Sequence, residues 1–325
     1  MSATERLGPS DLGRAVEILL AGGLVAIPTE TVYGLAGDAA SAEAVAGIFA
    51  AKGRPAGHPL IVHVGTPDEL ADWADPEGLV DGRARRLAEA CWPGPLTLIV
   101  STAHRAVDAV TGGRPTVGVR VPDHPLTLDL LRRFRLAGGS GGVAAPSANR
   151  FGHVSPTTAD HVLADLDGRI DAVLDGGPSQ VGVESTIVEL VPGAPATLLR
   201  PGGVPVEEVA AALGEEVVDG RAGESRAAGM LTSHYAPDAP VTIADEVPAD
   251  LDVATALIGP AAVVDGAHVR TIALAADADD YAAELYDALR RADAGGAERI
   301  VIVPPRSGRI LAAVLDRLAK AAADR

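Results

Sequence analysis

Lysine, cysteine and aromatic residues are scarce in this chain, and each shortage removes a class of function. Of 27 basic residues, only Lys52 and Lys320 are lysines. An ammonium at a chosen place therefore carries weight, being a compact point charge with freely turning donors where arginine offers a rigid fork. The single cysteine, Cys91, excludes an intrachain disulfide and a thiolate zinc cluster, as expected in a reducing compartment. Aromatic residues make up 3% of the chain, too few for the stacking platforms of single-stranded nucleic-acid binders. No uncharged apolar run is long enough to span a membrane, and no basic segment leading into an apolar core opens the sequence. The expectation is a cytoplasmic protein. Positive charge is itself short: 44 acids against 27 bases give a net charge of -17, which repels polyanions and argues against stable nucleic-acid binding.

What remains is apolar and glycine-rich. With 47% hydrophobic residues over 325 positions, the chain is expected to form two domains. Leu12, Ala15, Val16, Leu19 and Leu20 fall at helical spacing before Gly22-Gly23 and a short strand, 24–27. Further strands are expected at 96–101, 117–121, 143–145, 172–174, 185–190 and 197–200, with helices at 41–51, 80–91, 125–134 and 157–166. Strands broken by irregular helices predict a twisted mixed sheet of the α/β class, α+β in type, over 1–203. Residues 204–240 read as a linker that could fold back as a lid, and 241–325 as a smaller Rossmann-like α/β domain without a G-x-G-x-x-G loop.

Six constellations concentrate chemistry. Thr29, Glu30, Thr31 and Tyr33 follow the first strand, where the backbone must turn. Lys52, Arg54, His58 and His63 surround a Gly/Pro-rich turn, and the repulsion between its two cations is relieved by a multiply charged anion such as a triphosphate. Thr116 opens a strand in which Arg120 shares a face with Gly118, and an arginine there needs a carboxylate partner, either structural or from a substrate. Ala145, Ser147, Asn149 and Ser155 form a polar run before the next helix. Ser185 and Arg200 stand at the edges of apolar strands, and His234-Tyr235-Ala236-Pro237 lies in the linker.

Together, Pro28 to Leu35, Lys52-x-Arg54, Trp92 to Thr97, Ser147-x-Asn149, Gly182 to Ile187 and His234 to Pro237 closely resemble the threonylcarbamoyl-AMP synthases of the YrdC-like superfamily, in their long two-domain form. The resemblance implies condensation of L-threonine, bicarbonate and ATP, with Mg²⁺ accompanying the nucleotide, to threonylcarbamoyl-AMP and pyrophosphate. The product would pass to a tRNA-modifying transferase complex. It further implies that Thr29 or Thr31, His63, Arg120, Ala145 and Ser185 hold threonine. Lys52, Arg54, His58, Thr116, Ser147, Asn149, Ser155, Arg200 and His234 would serve ATP, with Lys52 and Arg54 as the catalytic cations. His58 departs from the asparagine of relatives. On this reading, loss of Lys52 abolishes pyrophosphate release and leaves the fold intact. The alternatives are an RNA-binding protein of the superfamily or one that handles another carbamoyl adenylate.

Overall fold

The computed structural model describes residues 3–55, 57–103, 106–221 and 235–323. Along the first part of the chain the strands are β1 (Glu5–Leu7), β2 (Val25–Ile27), β3 (Gly34–Asp38), β4 (Ile61–His63), β5 (Leu96–Ser101), β6 (Thr116–Arg120), β7 (Val143–Ala144), β8 (Ala172–Leu174), β9 (Thr186–Glu189), β10 (Thr197–Arg200) and β11 (Val218–Asp219). They form one sheet in the order β1-β8-β2-β3-β7-β4-β6-β5-β9-β10-β11. Parallel pairs such as β4 with β6 alternate with antiparallel ones such as β2 with β3, so the sheet is mixed, as the sequence predicts.

Helices cover the sheet where their apolar faces require it. In α1 (Leu12–Leu20), Leu12, Ala15, Val16 and Leu19 are buried, which is the face the spacing marked out. The helix α2 (Ala42–Lys52) starts on the Ser41 hydroxyl, which accepts from the Ala44 N–H at 3.2 Å, and stops at Gly53, whose φ of 62° a side chain would resist. The remaining helices of this part are α3 (Arg83–Cys91), α4 (Asp108–Thr111), α5 (Pro125–Leu136), α6 (Ala159–Leu166) and α7 (Val206–Leu213).

Two expectations need correction. The segment after Tyr33 returns as β3, pairing antiparallel with β2 and bringing Gly34 opposite Ile27. The first half of the expected linker belongs to the first domain: Val209 and Leu213 of α7 are buried in its main core, and β11 pairs with β10.

The second domain is a parallel four-stranded sheet, with β12 (Val241–Ile243), β13 (Thr255–Pro260), β14 (Arg270–Leu274) and β15 (Arg299–Ile302) in the order β12-β15-β13-β14. Its helices are α8 (Ala261–Val264), α9 (Ala278–Ala294) and α10 (Leu311–Ala321). Tyr281, Leu285 and Tyr286 of α9 and Val314 and Leu318 of α10 share a buried cluster with Val32, Val154 and Val183 of the first domain. Gly182 permits this approach, since a Cβ there would lie 2.2 Å from the Ala282 carbonyl oxygen. Polar ties add to it: Arg290 bridges to Asp165 at 3.0 Å and Arg309 to Glu208 at 2.7 Å. No helix among the described residues is long and apolar enough to cross a membrane.

Candidate active site

One edge of the large sheet gathers polar groups because several strands end or begin there. β4 and β6 are parallel and in register, so His63 stands beside Arg120. The pairings of β5 with β6 and with β9 bring Thr97 and Ser185 to the same edge. The turn after β2 adds Thr29 and Thr31, and Gly34 bridges to Ser147.

The result is a cleft lined by Thr29, Thr31, Arg54, His63, Arg120, Ala145, Ser147, Ser185 and Arg200, together with Glu184 and Tyr235.

The hydrogen bonds order the protons within it. Arg120 Nη1 donates to Thr31 Oγ1 at 3.0 Å, the two threonine hydroxyls lie 2.8 Å apart, and Thr29 donates to the Val32 carbonyl at 2.6 Å. Since Thr29 gives its proton to that carbonyl, Thr31 must donate to Thr29. Both hydroxyls can then meet a ligand only as acceptors, Thr29 doing so in place of the Thr31 and Val32 N–H groups that its oxygen already receives at 3.3 Å. His63 joins them. Burial, and then Arg120, depress its pKa to about 3, so the ring is neutral. Its Nδ1 lies 3.3 Å from the Ile61 carbonyl, which can only accept, so Nδ1 carries the hydrogen and Nε2 offers a lone pair.

Cations face these acceptors. Arg120 is compensated by an ion pair with buried Glu30 at 2.6 Å. Arg200 donates from Nε and Nη2 to the Ser185 carbonyl at 3.0 and 2.9 Å, and from Nη2 to Ser185 Oγ at 3.1 Å. Arg54 has the weakest compensation: one N–H reaches the Pro59 carbonyl at 3.3 Å, while its buried Nε has no partner. Burial lowers its pKa to about 10, which leaves it charged at neutral pH. A cavity with acceptors on one side and cations on the other suits a ligand set carrying both an ammonium and anionic groups.

The structure does not bring every expected residue into this lining. Lys52 is buried with Nζ donating to the Ser147 and Asn149 carbonyls at 2.5 and 2.7 Å, so its ammonium clasps the loop that follows β7. Burial, and then Arg54, push its pKa well down. Asn149 spends its side-chain N–H groups on the Arg150 and His153 carbonyls, although its buried Oδ1 has no partner. Ser155 is fully buried and donates to Glu184 at 2.6 Å rather than lining the cavity. His58 stands outside it, its ring 6.0 Å from that of Phe151. Thr116 occupies the far end of β6, about 13 Å from Arg120 at ~3.3 Å per residue, beside a separate hollow with Arg114 and Glu189. His234 lies outside the described residues.

Glu184 and Tyr235 fall within two of the motifs named from sequence, Gly182 to Ile187 and His234 to Pro237, but neither was given a role there. Tyr235, at φ 61°, stacks on Tyr286 with centroids 5.9 Å apart and lies beneath the Arg317 guanidinium at 5.2 Å. Their partners are contributed by the other domain, so no local pattern exposes them. Among the described residues no group of three His, Cys, Asp or Glu gathers to hold a metal ion.

Two family models divide the chain near residue 203, ahead of α7 and β11, which pack with the first domain. Residues 17–202 match the Sua5_yciO_yrdC family model, described as "Telomere recombination". Residues 204–323 match the model "Threonylcarbamoyl-AMP synthase, C-terminal domain". The Bacillus subtilis threonylcarbamoyl-AMP synthase is 37% identical over 345 residues, covering 100% of this chain and 97% of its own. The Pyrococcus abyssi threonylcarbamoyl-AMP synthase is 40% identical over 75% of this chain and 71% of its own. The crystal structure of P. abyssi Sua5 complexed with L-threonine superposes with a TM-score of 0.86 at 34% identity, covering 99% of this chain and 98% of that one.

Proposed function

This chain belongs to the Sua5/YciO/YrdC family and carries the C-terminal domain of threonylcarbamoyl-AMP synthases, and on that premise we propose that the cavity at the sheet edge is where L-threonine and ATP meet. The activity is synthesis of threonylcarbamoyl-AMP, a nucleotidyl transfer that belongs to tRNA threonylcarbamoyladenosine biosynthesis.

The observation that carries the reading is the sorting of acceptors from cations within one cavity. Thr29, Thr31 and the His63 Nε2 take the N–H groups of the threonine ammonium, and Arg120 and the Ser185 hydroxyl take its carboxylate and hydroxyl. Arg54 and Arg200 face the triphosphate. Thr116 and Arg120 share a face of β6 with Gly118 between them, so a nucleotide laid along that face reaches Thr116 at its far end. His58, Asn149 and Ser155 act from outside the lining, through the turn and loop that carry Arg54 and Ser147.

Bicarbonate supplies the carbonyl carbon. The threonine amine, once it has lost its proton, attacks that carbon, and as the C–N bond forms a C–O bond of bicarbonate breaks and water leaves, giving a carbamate. A carbamate oxygen then attacks the α-phosphorus of ATP, and pyrophosphate leaves. Both steps concentrate negative charge between Arg54, Arg120 and Arg200, so the protein contributes fixed positive charge and alignment and needs no covalent nucleophile. His63, neutral down to about pH 3, orients the amine without serving as its base at neutral pH. Magnesium enters with ATP as part of the substrate, bound by phosphate oxygens. The product passes to a transferase that modifies tRNA, and both proteins work in the cytoplasm.

The test is to mix purified protein with threonine, bicarbonate, ATP and magnesium. Threonylcarbamoyl-AMP identified by mass spectrometry, with pyrophosphate released only when threonine is present, is the expected outcome. Turnover of carbamoyl phosphate without threonine would overturn the reading.

A further inference from the structure

Arg317 stands on α10, in a domain that contributes no group to the cavity other than through contact. It is nevertheless buried to 1% exposure and aimed at the cavity wall. Its Nε donates to Glu184 Oε2 at 2.7 Å and its Nη2 to the Pro201 carbonyl at 3.0 Å. Those acceptors are the immediate chain neighbours of Ser185 and Arg200. The same Glu184 oxygen accepts from Tyr286 of α9 at 3.0 Å, and its other oxygen accepts from Ser155. The turn between them is tightly packed: a Cβ on Gly202 would lie 2.2 Å from the Thr186 nitrogen and 2.4 Å from the Glu184 carbonyl oxygen. A shift of one segment is therefore passed to the other.

The charges decide what this grip does. Glu184 is paired with Arg317 of the second domain and also feels the charge of Arg200 from the first. Burial favours its neutral form, but Arg317, Arg200 and the Ser155 hydroxyl outweigh that and hold its pKa at about 2, so it is ionised. A buried carboxylate needs a cation and full hydrogen bonding. With Arg317 supplying both, Arg200 keeps its N–H groups on Ser185. Without Arg317, Arg200 is the remaining nearby guanidinium. Glu184 would then draw it away from Ser185.

We infer that Arg317 is a positioning residue for the synthase reaction: by neutralising Glu184 from the second domain, it keeps Arg200 bonded to Ser185 at the cavity wall. Tyr286 assists through the second bond to the same oxygen. The inference rests on the proposed reading of the cavity, and it gives the C-terminal domain a chemical part in the site.

The experiment compares Arg317→Met, Glu184→Gln/Arg317→Met and Tyr286→Phe in the full chain, with threonine-dependent pyrophosphate release as the assay. Absence of that release in the unsubstituted protein would defeat the reading of the cavity and is seen before any variant is made. Given that release, Arg317→Met is expected to raise the KM for threonine at least tenfold. The double variant is expected to recover to within about threefold of the starting value, because no carboxylate then competes for Arg200. A role confined to packing predicts the opposite order, with the double variant no better than the single one. Should Arg317→Met fail to fold, Tyr286→Phe is expected to raise the same KM about threefold, and the double variant is still expected to bind threonine. An unchanged KM in Arg317→Met or Tyr286→Phe, or a double variant as impaired as the single, would overturn the inference.

Discussion

Replacing Lys52 by methionine separates two roles that its position in the sequence left joined. Methionine keeps the length and apolar stem of the side chain and removes the ammonium, leaving the Ser147 and Asn149 carbonyls without the donor that now reaches both. The Ser147 carbonyl keeps the Asn149 N–H at 3.1 Å, so what is lost is the two bonds from the amine, each contributing about 1 kcal/mol net of dehydration. The expected net loss is about 2 kcal/mol, seen as a fall of roughly 4 °C or more in the thermal midpoint. The loosened 147–149 loop carries a cavity residue, so the KM for ATP should rise about tenfold, equivalent to ~1.4 kcal/mol. The assays are thermal unfolding and pyrophosphate release at varied ATP. A variant that unfolds as the parent does and loses only kcat would refute the clasp and return the ammonium to the phosphates. This outcome differs from the expectation drawn from sequence, in which the fold is untouched.

Three further predictions follow from the same geometry. Because His63 titrates near 3 when folded and near 6.5 when unfolded, the unfolded chain takes up the proton first, and stability falls as pH drops from about 6.5 toward 3 at up to ~1.4 kcal/mol per unit. His63→Gln should lose less stability than the parent between pH 6.5 and 4.5, by about 2.3 kcal/mol in urea titrations; parallel curves would show that the ring is not held neutral. Arg54→Met should unfold at the same temperature or higher, since its Nε has no partner, while nucleotide affinity drops tenfold or more. A stability loss above about 2 kcal/mol, measured by thermal unfolding, contradicts that. Arg120→Met strips buried Glu30 of its cation and should cost about 3–5 kcal/mol, with Glu30→Gln/Arg120→Met costing less; equal losses in urea denaturation would place the damage in packing instead.

Much of the architecture could be read directly. β5, β8 and β10 fall where their apolar runs between Gly and Pro put them, because short buried strands advertise themselves by composition. β3 did not, since Gly34-Leu35-Ala36-Gly37-Asp38 has little β-propensity and becomes a strand only by pairing with β2 and β7. In the site, Thr29, Thr31, His63, Arg120, Ser185 and Arg200 were legible because they sit at strand ends within recognisable motifs. The roles of Lys52 and Ser155 were not, because the direction of a side chain depends on acceptors 95 and 29 residues away. Glu184 was hidden more deeply: its meaning depends on Arg317, 133 positions along the chain.

That last pairing ties gene length to the residue at one position. A descendant that discarded the second half would strip Glu184 of Arg317 and Tyr286 and leave Ser155 and Arg200 to meet its charge. Such trimming shifts the demand on position 184 toward a side chain that carries no charge. Inspection of shorter homologues at that one site therefore reports whether this constraint has governed how the two-part form and the compact form diverged.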